Sequence, residues 1–378
     1  MRFAARSGVA PWIGLGAGVC LLILCLLLGR GSPQQALASY LFAFVFFTGL
    51  SLGSLALVLV HVLVGGAWGE RLRPQLWAAA GTLPLQALLA LPLLIGLRVL
   101  YPWASEGSLT RDALLRAQSW YLDPAFFISR TIVYFVLWVA LWALTGRALA
   151  NPARRAALPP LAAGGLIVYA LSTLLAATDW VMSLMPHWHS STFGMMVATG
   201  WLLAAAALAV LRATSASDSA AVLTACVLND LGNLLLMFVL AWSYLAFMQY
   251  LTIWIADQPA EISWYIPRTL TSWRGLAWFL IAFHFAVPFA VLLSRRAKRR
   301  RQWLGVVAAM LLVANLADAL WLTVPDIRGQ GFALRWTDLL AAAGMGALWC
   351  AIYLGNRRPT AGSEPRAANG AHLGRAHG

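Results

Sequence analysis

Among the side chains that can carry charge inside or at the rim of long apolar runs are His61, Arg130, Asp179, Asp230, His284 and Asp318. Two more histidines, His187 and His189, follow Asp179 in the stretch "DWVMSLMPHWHSSTFG" at 179–194. A charged group in hydrocarbon costs at least about 2.5–3.5 kcal/mol on insertion scales, so each needs a partner or a task. Two chemistries suit acids and imidazoles so placed. One is structural pairing, with Arg130 neutralising Asp179 or Asp318 and Asp230 bonding a neighbouring helix. The other is a broken polar route for protons, running from Asp230 and His61 through His284 to Asp179, Asp318 and the two loop histidines.

Local spacing refines both readings. His61 shares one stripe of its helix with Ser51 and Ser54, because 100° per residue sets the three within about 80°. Asn229 and Asn233 flank Asp230, and Asn315 shares a face with Asp318. Haem ligation by His61 and His284 requires equal depth. His61 lies about eleven residues from the centre of its run, roughly 16 Å at 1.5 Å per residue, whereas His284 is central. His187 and His189, two apart beside Asp179, lack the further Cys or His that a metal centre needs. Cys20, Cys25, Cys226 and Cys350 all fall in apolar runs with no C-x-x-C spacing, so they read as apolar thiols, with no iron–sulfur, zinc or haem c site. No phosphate loop or nucleophile constellation is present.

The elements that must position these residues follow from composition. Of 378 residues, 61% are hydrophobic and 11% charged. A soluble domain carries about 25% charged residues, so this chain cannot hide its apolar surface in water. Ten runs are long enough to span a bilayer: 9–29, 37–64, 75–97, 126–147, 157–178, 190–212, 220–250, 274–294, 302–324 and 336–355. The expected fold is an all-α, polytopic domain over 1–355. The remainder, 356–378, is polar and rich in Gly, Ala and Pro, and is expected to be a disordered tail. Arg2 and Arg6 before the first run suggest a signal peptide, but no small-residue cleavage site follows, so the run reads as an uncleaved helix.

The net charge of +14 does not argue for nucleic acid, because the basic residues fall between and after the runs. With the N-terminus inside, the inner segments hold 18 of the 27 Lys and Arg, led by "RRAKRRR" at 295–301. The positive-inside rule then sets both termini in the cytoplasm and the 179–194 hairpin outside. Two outer connections are longer than a bundle needs. Residues 98–125 are expected to hold a short surface helix capped by Ser108 or Thr110. Residues 251–273 are too polar to span, and both loops serve as lipid-interface anchors or as a docking face. Gly14 with Gly18, and Gly49 with Gly53, have the spacing of close helix contacts.

Three stretches carry a resemblance: "YLDPAFFISR" (121–130), "TDWVMSLMPHWHSSTFG" (178–194) and "NDLGNLLLMFVLAWSYLAFMQYLTIWIADQPAEISWYIPR" (229–268). They resemble the F-type membrane subunit of alternative complex III, a bacterial quinol:cytochrome c oxidoreductase, within the NrfD-like (polysulfide reductase membrane subunit) superfamily. The resemblance covers roughly residues 37–325. It implies ten transmembrane helices around two four-helix bundles, in the bacterial cytoplasmic membrane. It implies no redox cofactor on this chain, with haem c and iron–sulfur clusters on periplasmic partner subunits. A sister NrfD-like membrane subunit holds the quinol, and a terminal oxidase is a further neighbour the resemblance admits. Where this chain itself contacts quinol or quinone, Asp179, His187 and His189 are the expected hydroxyl partners. Some relatives have Lys where this chain has Asn233, and Glu where it has Ala260. Two other readings remain open: the anchor of another molybdenum or iron–sulfur oxidoreductase, and a secondary transporter.

Overall fold

The computed structural model describes residues 10–107, 112–215, 223–329 and 331–357. The expected caps Ser108 and Thr110, and the tail from 358 on, lie outside the described residues. Among the described residues, ten helices are long and apolar enough to cross a membrane. They are α1 (Ala10–Leu28), α2 (Pro33–Val64), α3 (Ala67–Ile95), α4 (Pro124–Ala150), α5 (Leu158–Trp180), α6 (Phe193–Ser215), α7 (Ala225–Ala256), α8 (Arg274–Leu293), α9 (Arg301–Thr323) and α10 (Trp336–Asn356). The chain is thus an all-α, multi-pass membrane protein.

Helix α2 forms the centre, buried on every face from Ala36 to Leu59. An all-round apolar helix can only be stable in that position or in lipid. It begins with Pro33 in the first turn and stops at Gly65 and Gly66, whose φ of +69° and +98° suit glycine. The spacing of Gly49 and Gly53 has a direct use. Both lie against Trp201 of α6, where a Cβ would strike the indole ring or the Trp201 backbone. Gly14 and Gly18 likewise admit Ala351 and Leu348 of α10, so α1 and α10 pair closely.

The neighbour pattern repeats along the chain. Helix α2 packs on α3 and α5, and α4 on α5 and the second part of α3. Correspondingly, α6 packs on α7 and α9, and α8 on α7 and α9. The two sets meet where α2 lies on α6, and α5 crosses to α6 as α9 crosses to α2. Sequence echoes the repeat: Thr48-Gly49 answers Thr199-Gly200, and Asp179 and Asp318 each stand seven residues before a proline.

Two helices are irregular. Helix α3 is broken at Gly81–Thr82 and Ala90, ahead of Pro84 and Pro92. Helix α8 contains a π-helical stretch at Ile281–Ala286, which includes His284. Extra residues of this kind re-aim a side chain and recur at functional sites. Of the four cysteines, Cys25 is buried and the other three face outward.

Candidate functional site

At the helix ends opposite the 295–301 basic run, Asp123 caps α4 by accepting from Phe126 N at 2.8 Å, with Pro124 in the first turn. That start sets Arg130 and Tyr134 one turn apart on one face. Arg130 Nε and Nη2 donate to Asp179 Oδ2 and Oδ1, each at 2.9 Å, and Tyr134 OH donates to Oδ2 at 2.7 Å. The guanidinium also lies 4.0 Å from the Tyr121 ring centroid and 4.1 Å from that of Phe126. Asp179 is wholly buried. A carboxylate held by a two-pronged guanidinium and a phenol is fully compensated, which suits a fixed strut.

Above that pair, the 181–192 hairpin meets the 112–123 segment. Asp112 caps a short helix (Ala113–Ala117) by accepting from Leu114 N and Leu115 N, and its second oxygen lies 2.7 Å from His187 Nε2. His189 Nε2 lies 3.2 Å from Gln118 Nε2. Between loop and hairpin runs a groove of about 200 Å³, lined by Gln118, Trp120, Thr178, Ser183, Pro186 and His189 among others. Tyr121 also lines it, and burial together with nearby Asp179 pushes its phenol well above the ordinary tyrosine range. Of the residues proposed for quinol contact, His189 lies in this groove, His187 at its exposed rim and Asp179 beneath it.

A second polar group sits between α6, α7, α8 and α9. His284 is completely buried, and neither ring nitrogen has a hydrogen-bond partner. Its ring centroid is 3.9 Å from that of Trp242, whose Nε1 is turned towards Asp318 without a close hydrogen bond among the described residues. Asn315 faces the imidazole but donates to its own helix, at Leu311 O, 2.8 Å away. Asp318, one turn on and buried, faces Trp242. Gly200 leaves room beside them, since a Cβ there would stand 3.5 Å from Trp242 Cδ1 and 3.8 Å from Asn315 Oδ1. Orphaned buried polar atoms are rare and call for an explanation such as water or a proton-exchanging role.

The remaining candidates lie apart from this group. His61 sits in the last turn of α2 at the basic end, with Nε2 3.2 Å from Gly66 O and its ring edge-on to Trp68. Asp230 lies on the outward face of α7. Its neighbour Asn233 accepts from Lys298 Nζ at 2.6 Å, which sets this turn at the depth of the basic run. The structure therefore sets both His284 and Asp318 against Trp242 and leaves His61 and Asp230 at the far end.

Two buried ion pairs escape sequence reading. Arg268, fully buried, donates to Asp326 at 2.5 and 2.9 Å and to the carbonyls of Trp264, Trp321 and Leu322, with its guanidinium 3.6 Å from the Trp264 ring centroid. Arg328 donates to Asp338 at 2.8 and 2.6 Å and to Ser39 Oγ at 2.9 Å. The available signals were weak: Asp326 follows a helix-starting proline, and Asp338 is the third residue of α10, where it accepts from Arg335 N. All three buried guanidinium–carboxylate pairs lie at the same end, opposite the basic run.

The fold and these sites define a polytopic membrane protein with a braced loop face at one end and an unpaired acid–imidazole group within the helices. Among the described residues no three His, Cys, Asp or Glu side chains converge as a metal site. No protein-family model matches the chain, and no curated protein matches it.

Proposed function

We propose that this chain is the membrane subunit of a quinol-oxidising complex of the alternative complex III type, in the bacterial cytoplasmic membrane with both termini inside. Its two four-helix sets are α2–α5 and α6–α9. The braced face is periplasmic and supports haem c and iron–sulfur subunits, while a sister NrfD-like subunit holds the quinol. The observation that carries a proton-handling role is the buried His284–Asp318 group with no cationic partner among the described residues. Quinol oxidation releases two protons as its electrons leave, so a subunit of such a complex has use for an uncompensated acid and imidazole within its helices. Asp179 supports the loop face as the Arg130 partner, and the groove above it is the place for any quinol contact through His189. The three quoted stretches support the assignment to this class.

Purification through a tag on this chain from native membranes tests the proposal. Haem c absorbance and quinol oxidation should co-purify, and a homogeneous single chain free of haem c would refute it. The irregular α8 favours a second reading, a secondary transporter, because such proteins interrupt helices near the midplane. That reading predicts the single-chain result. Co-purification of a molybdenum enzyme would instead make the chain that enzyme's anchor.

A further inference from the structure

The outward surfaces of the spanning helices differ in chemistry. Those of α4, α5, α8 and α9 present Ile132, Val136, Ile167, Leu171, Ile281 and Val306, side chains suited to lipid. Ser129 on α4 satisfies its hydroxyl at Ala125 O, 2.8 Å away. Helix α7 is different. Asp230, Asn233, Met237, Leu240, Tyr244, Phe247 and Trp254 are exposed along it. The spacing of these seven alternates three and four residues, or seven where a half-covered position intervenes, so they share a stripe with the 3.5-residue period of a helix–helix seam, with Tyr250 and Ile255 exposed beside it.

At 1.5 Å per residue, Tyr244 lies about 21 Å from Asp230 and about 15 Å from Trp254. The stripe from Asp230 to Trp254 covers about 36 Å, against a hydrocarbon thickness of about 30 Å. Tyr244 is therefore near mid-depth, too far from either surface for its hydroxyl to reach water. Among the described residues that hydroxyl has no partner, and lipid tails offer none; the Asp230 carboxylate, at the depth of the basic run, also has none there.

We propose that this face of α7 is an interface within the membrane, and that its occupant is a transmembrane helix of a different chain. That helix carries Lys or Arg opposite Asp230 and a hydrogen-bonding group opposite Tyr244. A second copy of this chain is disfavoured by symmetry. A two-fold axis along the membrane normal would set Asp230 beside its own equivalent, and like charges at one depth repel. The inference deepens the proposed function by naming the surface that receives a membrane partner, and it rests on the chain being a subunit of a complex.

Photo-crosslinking in native membranes tests it. A photoreactive phenylalanine analogue replaces Tyr244 in one full-length variant, Met237 in a second, and Leu171 on α5 as a lipid-facing control. The α7 probes should yield adducts with a transmembrane peptide of another chain, and the control should yield lipid adducts. Asp230→Arg should lower the α7 adduct about tenfold while the chain's abundance holds, and Asp230→Asn, the milder change, should lower it less. Lipid adducts alone at both α7 positions, adducts with a second copy, or yields unmoved by both Asp230 variants would overturn the proposal. The two readings fail separately. A crosslinked helix from a non-redox protein would sink the complex assignment and keep this interface. Haem c co-purification with lipid adducts alone would do the reverse.

Discussion

Arg130 and Asp179 are joined by two parallel hydrogen bonds of 2.9 Å, while Asp318, at the matching place in the second helix set, has no cation beside it among the described residues. The same acid, seven residues before a proline in both sets, is thus locked in one and uncompensated in the other. A locked carboxylate gives rigidity. An uncompensated one can exchange a proton.

Removing one partner of the locked pair strands a buried charge. Arg130→Met should lower stability by about 3–5 kcal/mol, and Asp179→Asn added to it should restore much of that loss. Thermal denaturation in detergent, followed by tryptophan fluorescence, reads both. A double variant no more stable than Arg130→Met would show that the pair is not the source of the loss.

Arg268 and His187 brace their respective loops with different strength. Arg268→Lys keeps the charge but loses the fork to Asp326 and the flat stacking on Trp264. It should cost more than His187→Ala, whose exposed pair with Asp112 contributes roughly 0.2–1 kcal/mol. The same denaturation assay ranks them, and equal losses would contradict the burial argument.

Close approach of α2 to α6 depends on Gly53, where an added methyl meets the Trp201 backbone. Gly53→Ala should cost about 1–3 kcal/mol through overpacking. Gly16→Ala, with nothing within 4 Å of the added carbon, should be close to neutral. Comparing the unfolding midpoints of the two variants checks this.

Within the purified complex, Asp318→Asn should leave assembly intact and slow quinol oxidation about 10- to 100-fold, with a changed pH–rate profile. His284→Leu should act in the same direction. Unaltered turnover and pH profile in both variants would return the pair to packing.

Much of the architecture was legible in the residues. Ten apolar runs were expected, and ten helices long and apolar enough to span are present among the described residues, with ends shifted by a few residues at most places. The largest shifts have local causes. Helix α3 begins at Ala67, eight residues early, because Trp68, Gly69 and Leu72 pack inward. Helix α7 runs on to Ala256 and stops only at Asp257, whose φ is +48°. The candidate site was legible in depth alone. His61 at one end, His284 in the middle and Asp179 at the other could be ranked by counting residues, and the depth argument against paired haem ligation followed from it.

Direction around each helix was a different matter. Asp230 and Asp318 look alike in sequence, each an acid beside asparagines in an apolar run, yet one faces outward and the other is buried beside Trp242. Length, span number and charge bias are set by the cost of putting backbone and charge into hydrocarbon, which every residue bears locally, so the sequence alone determined them. Facing is set by which side chains of other helices fill the space, here Trp201 in the Gly49–Gly53 notch and Arg268 on Trp264. In helices that are apolar on all sides no local rule prefers one face, and only the packed tertiary structure decided which acids are braced, which are buried alone and which await a partner.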